Sequence, residues 1–180
     1  MAGSYSIQVK DANACIAPTS VTITEPVALQ ASASTSPVLC HGDQTGSANL
    51  SVTGGSMPYR YSLDGTNFAT SINLSALSAG AYTITVLDAN DCQTTVAFNV
   101  TEPDALDLRF EAVDVTCNGA ADGQIAGITN GGTAPYSYSL DGTNFQTSAF
   151  GQLSAGNYTL TVKDANDCIA TTSVTITEPA

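Results

Sequence analysis

The sequence has few positive charges. It holds four basic side chains against 16 acidic ones, and its formal net charge is −12. The basic residues are Lys10, Arg60, Arg109 and Lys163. Nucleic acids and anionic membrane surfaces are bound by clustered Lys and Arg side chains, which this chain lacks. We therefore expect neither nucleic acid nor an anionic membrane to be a partner.

Long apolar runs and helix-favouring residues are also scarce. No stretch approaches the roughly 18 apolar residues that a membrane-spanning helix needs. No basic segment followed by an apolar one marks a signal peptide. We expect this segment not to insert into a membrane, and any export signal to lie elsewhere. Tryptophan is absent, and the richness in Ser, Thr, Gly and Asn favours strands and turns over helices.

Catalytic motifs are missing as well. The only histidine, His41, follows Cys40, but the similar segment that begins at Cys117 continues with Asn118. A Cys-His or Ser-His-Asp arrangement is therefore not a regular part of the sequence pattern. The chain contains no CxxC, HExxH or phosphate-binding glycine motif. We expect the protein not to be an enzyme.

What the sequence does contain is a long internal repeat. YSLDGTNF occurs at residues 61–68 and again, unchanged, at residues 138–145. Later motifs such as LSAG, DANDC and TEP recur at an offset of 76 residues. The first 26 residues match only the last third of this unit. We divide the chain into the last hairpin of a truncated repeat (1–26) and two full repeats (27–103 and 104–180), a pattern typical of a tandem array.

Each repeat has the signature of an all-β unit. YTITVL at 82–87 and YTLTVK at 158–163 alternate apolar residues with Thr, as half-buried strands do. A DAND turn joins each of them to a second alternating segment. Gly127 interrupts one alternating segment and predicts a bulge there. Turn signals every eight to twelve residues predict about seven short strands per repeat, hence tandem immunoglobulin-like β-sandwiches arranged end to end.

The order of motifs resembles a known family. CNGAADG, GGTAPYSYSLDG, LSAGNYTLTVKDANDC and VTITEP follow one another in residues 117–179. This succession resembles the SprB-type repeat of large Bacteroidota cell-surface adhesins, of which the best known serve gliding motility. The resemblance covers essentially the whole chain. His41 stands where the family favours Asn, and Asp91 and Asp167 stand where Gly is more usual.

The resemblance implies a function. Such proteins are exported by the type IX secretion pathway and displayed on the bacterial cell surface, where the repeats form a stalk or an adhesive filament. We therefore expect a non-catalytic structural or adhesive module in an extracellular location. Its expected partners are an extracellular surface, a polysaccharide or neighbouring repeats.

The alternative is a carbohydrate-binding or spacer module of a secreted multidomain enzyme. A sugar-binding module would need an exposed row of aromatic rings. Six tyrosines recur at matching positions with apolar neighbours, and we interpret them as core residues together with Leu63, Leu140, Val86 and Val162. These tyrosines are Tyr59, Tyr61, Tyr82, Tyr136, Tyr138 and Tyr158.

The cysteines predict disulfides, with two pairings open. Pairing within each repeat joins Cys40 to Cys92 and Cys117 to Cys168, leaves Cys15 unpaired and makes each repeat self-sufficient. Each bond would close a loop of about 52 residues and stabilise the fold by about 4 kcal/mol. The first turn and the last hairpin of a sandwich lie at opposite ends, which argues against this pairing. We nevertheless favour it, because it makes each repeat self-sufficient. The rival joins Cys15 to Cys40 and Cys92 to Cys117.

The acidic turns suggest calcium as a cofactor. Turns of tandem sandwiches cluster at domain ends, so each DAND hairpin should approach the TEP segment that enters the same repeat. Calcium binds six to eight oxygens from carboxylates, amides and carbonyl groups. The alternative is that DAND is only a favourable turn, as DANAC at 11–15, which lacks the second Asp, suggests. The candidate ligands are Glu25, Asp88, Asn90 and Asp91, and then Glu102, Asp104, Asp164, Asn166 and Asp167.

Overall fold

The protein consists of strands and turns. The structure, a computed structural model, describes residues 1–180. It contains no helix long and apolar enough to cross a membrane. The all-β prediction is confirmed. The strands are β1 Gly3–Lys10, β2 Ile16–Ile23, β3 Gln30–Ser36, β4 Ser47–Thr53, β5 Arg60–Ser62, β6 Gly80–Leu87, β7 Gln93–Val100, β8 Asp107–Val113, β9 Gly123–Asn130, β10 Ser137–Ser139, β11 Phe150–Leu153, β12 Gly156–Lys163 and β13 Ile169–Ile176.

The chain divides into two compact units whose segments alternate along the sequence. The first unit comprises Met1–Ser34, Leu50–Asn73 and Tyr82–Ala97. The second comprises Thr35–Asn49, Leu74–Ala81 and Phe98–Ala180. The repeat boundaries inferred from sequence, and the immunoglobulin-like end-to-end arrangement, remain predictions.

Residues 104–180 form two sheets that pack on each other. One sheet has the strand order β11-β9-β8 and the other β10-β12-β13, and β13 packs against β8. The apolar residues of β12 and β13 alternate with Thr and Ser, so one face of this hairpin is buried. The core combines both sheets. Its fully buried members are Val115, Ile125, Leu160, Val174 and Ile176.

The sheets contain fewer strands than the turn spacing predicted. Residues 27–103 form β3-β4 and β5-β6-β7, while residues 104–180 form six strands, instead of about seven in each repeat. The region after β5 explains part of the difference. There, Tyr61 makes only an isolated bridge to Ala69, and the Asp64 carboxylate accepts hydrogen bonds from the backbone of Thr66 and Asn67. Side-chain bonding to the local backbone stabilises a turn instead of a ladder.

The predicted bulge at Gly127 is not formed. β8 pairs with β9 in continuous register, and Phe110 faces Gly127. Glycine is needed here for space, because a Cβ at this position would lie 2.3 Å from Cε1 of Tyr138. Gly127 interrupts the alternation because the ring of Tyr138 lies against the backbone there. Besides bulges, such a close approach is a common reason for glycine in a strand.

The tyrosines are largely part of the fold, as predicted. Tyr138 and Tyr158 pack against the core of residues 104–180. Tyr59 and Tyr136 donate hydrogen bonds of 2.6 Å to the carbonyls of Gly54 and Gly131, respectively. The prediction for Leu63 was wrong, since its side chain is 47% exposed. Leu63 directly precedes the Asp64 turn, where the chain leaves the sheet.

The hairpin β1-β2 differs from its counterpart in burial. Its sequence is similar to that of β12-β13, and its register runs from Gly3 opposite Ile23 to Lys10 opposite Ile16. Both of its strands are exposed along their whole length, whereas β12 and β13 contribute buried residues to a core. The same strand pattern is therefore buried only where a second sheet covers it.

Candidate functional site: the cysteine turns

Every cysteine lies in one of two kinds of turn. We call residues 40–43 and 117–120 the first cysteine turns, because they occur early in each full repeat. We call residues 88–92 and 164–168 the second cysteine turns; residues 11–15 form a third turn of this kind. Together they position all five cysteines of the chain.

An aspartate organises each second cysteine turn. Asp164 Oδ1 accepts hydrogen bonds from the backbone N–H groups of Asn166 (2.8 Å) and Cys168 (2.9 Å). Its Oδ2 accepts one from the backbone N–H of Thr133, also at 2.8 Å. Asp88 makes the same three kinds of bond, and Asp11 makes the two within its own turn. The cysteine at the end of each turn is therefore held in the same local geometry.

The electrostatics of the turn favour a charged carboxylate. The backbone N–H of Ser56, assisted by those of Cys92 and Asn90, holds the pKa of the buried Asp88 carboxyl below its ordinary value, although burial acts in the opposite direction. Hydrogen bonds to the ionised form stabilise it. The turn at residues 88–92 is therefore built around an ionised aspartate at neutral pH.

The family's preference for glycine in this turn has a backbone explanation. Asp91 and Asp167 have φ angles of 61° and 64°, and Ala14 has 69°. This left-handed region favours glycine, and aspartate tolerates it better than most other residues. Asp91 and Asp167 therefore adopt the backbone conformation that glycine favours.

Each first cysteine turn forms hydrogen bonds with residues at the end of its own repeat. Gly42 donates its backbone N–H to Glu102 Oε2 at 2.7 Å, and Gly119 donates to Glu178 Oε2 at 2.9 Å. His41 Nδ1 lies 3.1 Å from the carbonyl oxygen of Pro103. Asn118 Nδ2 donates to the carbonyl of Pro179 at 3.3 Å, so the histidine has the contact that asparagine has in the other repeat.

The two cysteine turns of residues 104–180 lie at opposite ends of a strand. Cys168 comes directly before β13, whereas Glu178, which holds the first cysteine turn, comes just after it. Eight strand residues span about 26 Å. A disulfide requires the two Cα atoms to lie within about 7 Å. Cys117 therefore does not reach Cys168.

The disulfide of the structure joins Cys40 to Cys168, with their Cα atoms 5.7 Å apart. Both residues belong to the second compact unit. Neither the pairing within repeats nor the rival pairing is formed. Cys15 is free, as the first pairing predicted, but Cys92 and Cys117 are free as well. The geometric objection to the pairing within repeats was correct, and it was the signal in the sequence that pointed away from it.

Residues next to the disulfide make a further contact between the two cysteine turns. The Asn166 side chain donates a hydrogen bond of 3.1 Å to the carbonyl of Leu39. An open cleft beside the bond has a volume of ≈ 440 Å³ and is lined in part by His41, Asp43 and Asp167. Because Cys40 is bonded to another sulfur atom, it offers no thiol beside His41.

The predicted calcium ligands do not come together. No group of three or more carboxylate, imidazole or thiol side chains lies close enough to hold a metal ion. Asp88 and Asp164 accept backbone N–H groups, Asp91 pairs with Arg60, and Asp167 pairs with Lys163. The remaining candidates have separate surroundings. Asn90 donates to Ser56, Asn166 donates to Leu39, Glu102 accepts from Gly42, the Asp104 carbonyl accepts from Gly132, and Glu25 is exposed.

We expect millimolar calcium to leave the thermal unfolding temperature unchanged, because the buried carboxylates already have N–H partners. Calcium at ten times its Kd would add about 1.4 kcal/mol to the free energy of unfolding. Melts in calcium and in chelator measure the difference. An increase in calcium that the Asp167→Ala variant loses would contradict this prediction and restore the calcium site.

Comparison with known families agrees with the repeat pattern. Residues 32–68 and 109–145 match the family model described as SprB repeat. The two matched segments are offset by the same 77 residues that separate the copies of YSLDGTNF. Two segments of the chain therefore match the SprB repeat. Each match includes a first cysteine turn and ends before the second one.

SprB repeats are a structural repeat family and not an enzyme family. No curated protein matches the chain.

Proposed function

We propose that the chain is a non-catalytic structural and adhesive module of a large exported cell-surface adhesin, in which SprB repeats form a stalk or an adhesive filament. The observation that carries this proposal is the tandem occurrence of two SprB repeats with the same hydrogen bonds in their cysteine turns. Modules that repeat with the same local geometry lengthen the protein by a constant step. Any binding surface on the module then recurs at a fixed interval along the array.

The disulfide supports an extracellular location on the bacterial surface. Disulfides persist in oxidising environments and are rare where cellular thiols keep cysteines reduced. Cys40 and Cys168 are 128 residues apart in sequence, so their bond constrains most of the chain. Such a constraint is useful to a protein that works outside the cell under mechanical load. Export by the type IX pathway fits the same proposal.

The surface charge supports a neutral partner. Three of the four basic side chains are in ion pairs: Arg60 with Asp91, Arg109 with Asp107, and Lys163 with Asp167. The remaining acidic groups leave a negative surface, which repels nucleic acids and anionic lipids. We propose an extracellular surface, a polysaccharide or neighbouring repeats as the partners.

The aromatic side chains favour this proposal over a sugar-binding module. Tyr59 and Tyr136 use their hydroxyl groups within their own turns. Lys163 Nζ lies 5.0 Å from the centre of the Phe145 ring, and Arg60 lies 6.0 Å from that of Phe68. Rings that bind sugars by stacking present a free face, and here a cation lies over one face of each ring.

Adhesion is tested with beads that carry the chain, exposed to increasing shear on glass and on neutral polysaccharide surfaces. We expect beads with the chain to stay attached at higher shear than beads that carry a globular protein of equal charge. Equal detachment would contradict the adhesive role. Binding to one defined glycan, lost on replacement of Phe145 but kept on replacement of Leu63, would instead favour the carbohydrate-binding module.

A further inference from the structure

The disulfide connects two different positions of the repeat. Cys40 and Cys117 are equivalent, since both open a first cysteine turn. Cys15, Cys92 and Cys168 are equivalent, since each closes a second cysteine turn. The observed bond thus links the first cysteine turn of residues 27–103 to the second cysteine turn of residues 104–180. It runs from one repeat to the repeat that follows.

Suppose that every first cysteine turn bonds to the second cysteine turn of the repeat that follows. The free cysteines are then those whose partners are not among residues 1–180. By the same rule, Cys117 would bond to the second cysteine turn of a further repeat. Cys92 and Cys15 would bond to first cysteine turns that precede theirs. All three are exposed and free. One rule therefore accounts for the bonded pair and for every free thiol.

The first cysteine turn at Cys117 has the same construction as the bonded turn at Cys40. The carbonyl of Cys40 accepts the backbone N–H of Asp43 at 3.1 Å, and that of Cys117 accepts the N–H of Ala120 at 3.0 Å. Val38 donates to the carbonyl of Thr101, and Val115 donates to that of Thr177. These backbone contacts place the two cysteines equivalently.

The side chains around Cys117 also permit the bond. The Leu39 contact of Asn166 uses a backbone carbonyl, so the change to Thr116 at the equivalent position keeps the acceptor. Ala120 stands where the other turn has Asp43. Asp122 in turn stands where the other segment has Thr45, and each accepts the backbone N–H of the residue before the cysteine, so the two segments carry the same number of carboxylates.

We infer that Cys117 is the attachment site for the second-turn cysteine of a further SprB repeat, and that successive repeats are joined covalently in this way along an array. The ligand is a copy of the repeat itself. The inference concerns how repeats are connected, and it does not depend on which surface the protein binds.

The bond forms by thiol–disulfide exchange with a small disulfide such as oxidised glutathione. The Cys117 thiolate attacks one glutathione sulfur, breaks the S–S bond and releases one reduced glutathione. The thiolate of the incoming cysteine then attacks Cys117 Sγ and releases the second. Two protein thiols are oxidised, and one glutathione disulfide is reduced to two thiols.

The test uses the full chain with a copy of residues 105–180 appended after residue 180, refolded with oxidised and reduced glutathione. Free thiols are alkylated, and peptide mapping by mass spectrometry identifies each bond. We expect the number of disulfides to rise from one in the parent chain to two in the extended chain. The new bond should join Cys117 to the appended copy of Cys168.

Two variants of the extended chain serve as controls, and the Cys40–Cys168 bond reports correct folding within each sample. Cys117→Ser should return the number of disulfides to one, and Cys92→Ser should leave it at two. A free Cys117 thiol in the extended chain, or a bond from Cys117 to any other cysteine, would overturn the inference. Failure of the bead adhesion assay would leave these bond counts unaffected.

Discussion

Replacing Cys40 with serine should lower the free energy of unfolding by about 4 to 5 kcal/mol, because the disulfide to Cys168 closes a very long loop. The two residues are 128 positions apart. Cross-linking a loop of this length removes conformational entropy from the unfolded chain, and a 100-residue loop is worth about 4.7 kcal/mol in this account. Cys168→Ser should have the same effect. Urea unfolding of oxidised protein measures both.

The repeat supplies matched controls for this prediction. Cys117 and Cys92 occupy the equivalent turns but are free and exposed. Cys117→Ser and Cys92→Ser should therefore change the free energy of unfolding by less than about 0.5 kcal/mol. The double variant of Cys40 and Cys168 should be no less stable than either single variant, since both remove one bond. Losses of several kcal/mol in the control variants would show that a different pairing forms in solution.

Gly131→Ala should be strongly destabilising, by about 3 to 5 kcal/mol, which is the range of severe backbone and packing errors. Gly131 has a φ of +71°, and a Cβ there would lie 2.0 Å from the carbonyl oxygen of Ala105. The obstacle is backbone, so no side chain can move aside. Gly54 has the same conflict with the carbonyl of Ala28, at 2.1 Å. Both repeats therefore need glycine at this turn.

Gly142→Ala separates the clash from the backbone strain. Gly142 has nearly the same φ, +73°, but a Cβ at this position would have no other atom within 4 Å. A residue with a side chain in this region costs about 1 to 2 kcal/mol. The difference between the two variants in urea unfolding measures the steric conflict. Equal losses would mean that the segment at Ala105 moves away from the turn.

The turn at Gly131 also affects the disulfide. The neighbouring Gly132 donates its N–H to the carbonyl of Asp104, and Thr133 donates its N–H to the Asp164 carboxylate. This carboxylate in turn holds the backbone N–H of Cys168. We therefore expect Gly131→Ala, but not Gly142→Ala, to reduce the fraction of chains that form the Cys40–Cys168 bond on refolding.

The strands and their pairing within hairpins were predictable from sequence because they depend on local pattern. YTLTVK and TSVTITE alternate with period 2, and the DAND turn between them brings β12 and β13 into register. The repeated motifs also indicated the family. These features depend only on residues that are close in sequence, so they can be predicted without knowledge of the rest of the chain.

Details that depend on distant contacts were predicted less well. Gly127 was interpreted as a bulge, but the ring of Tyr138, which lies above it, is the reason for glycine. Leu63 was assigned to the core from its spacing after Tyr61, but the Asp64 turn carries it outward. The number of strands was overestimated for a local reason: the Asp64 side chain accepts hydrogen bonds from the backbone of Thr66 and Asn67 where another ladder was expected.

The sequence by itself determined the all-β fold, the repeat period and the equivalence of the cysteines, because each of these is a pattern along the chain. Only the tertiary structure decided which cysteines meet. The spacing allowed two regular pairings, and neither forms. The eight residues of β13 separate the two cysteine turns of one repeat by about 26 Å. Cys168 instead lies 5.7 Å in Cα distance from Cys40 of the preceding repeat, a proximity in space that no interval in the sequence encodes.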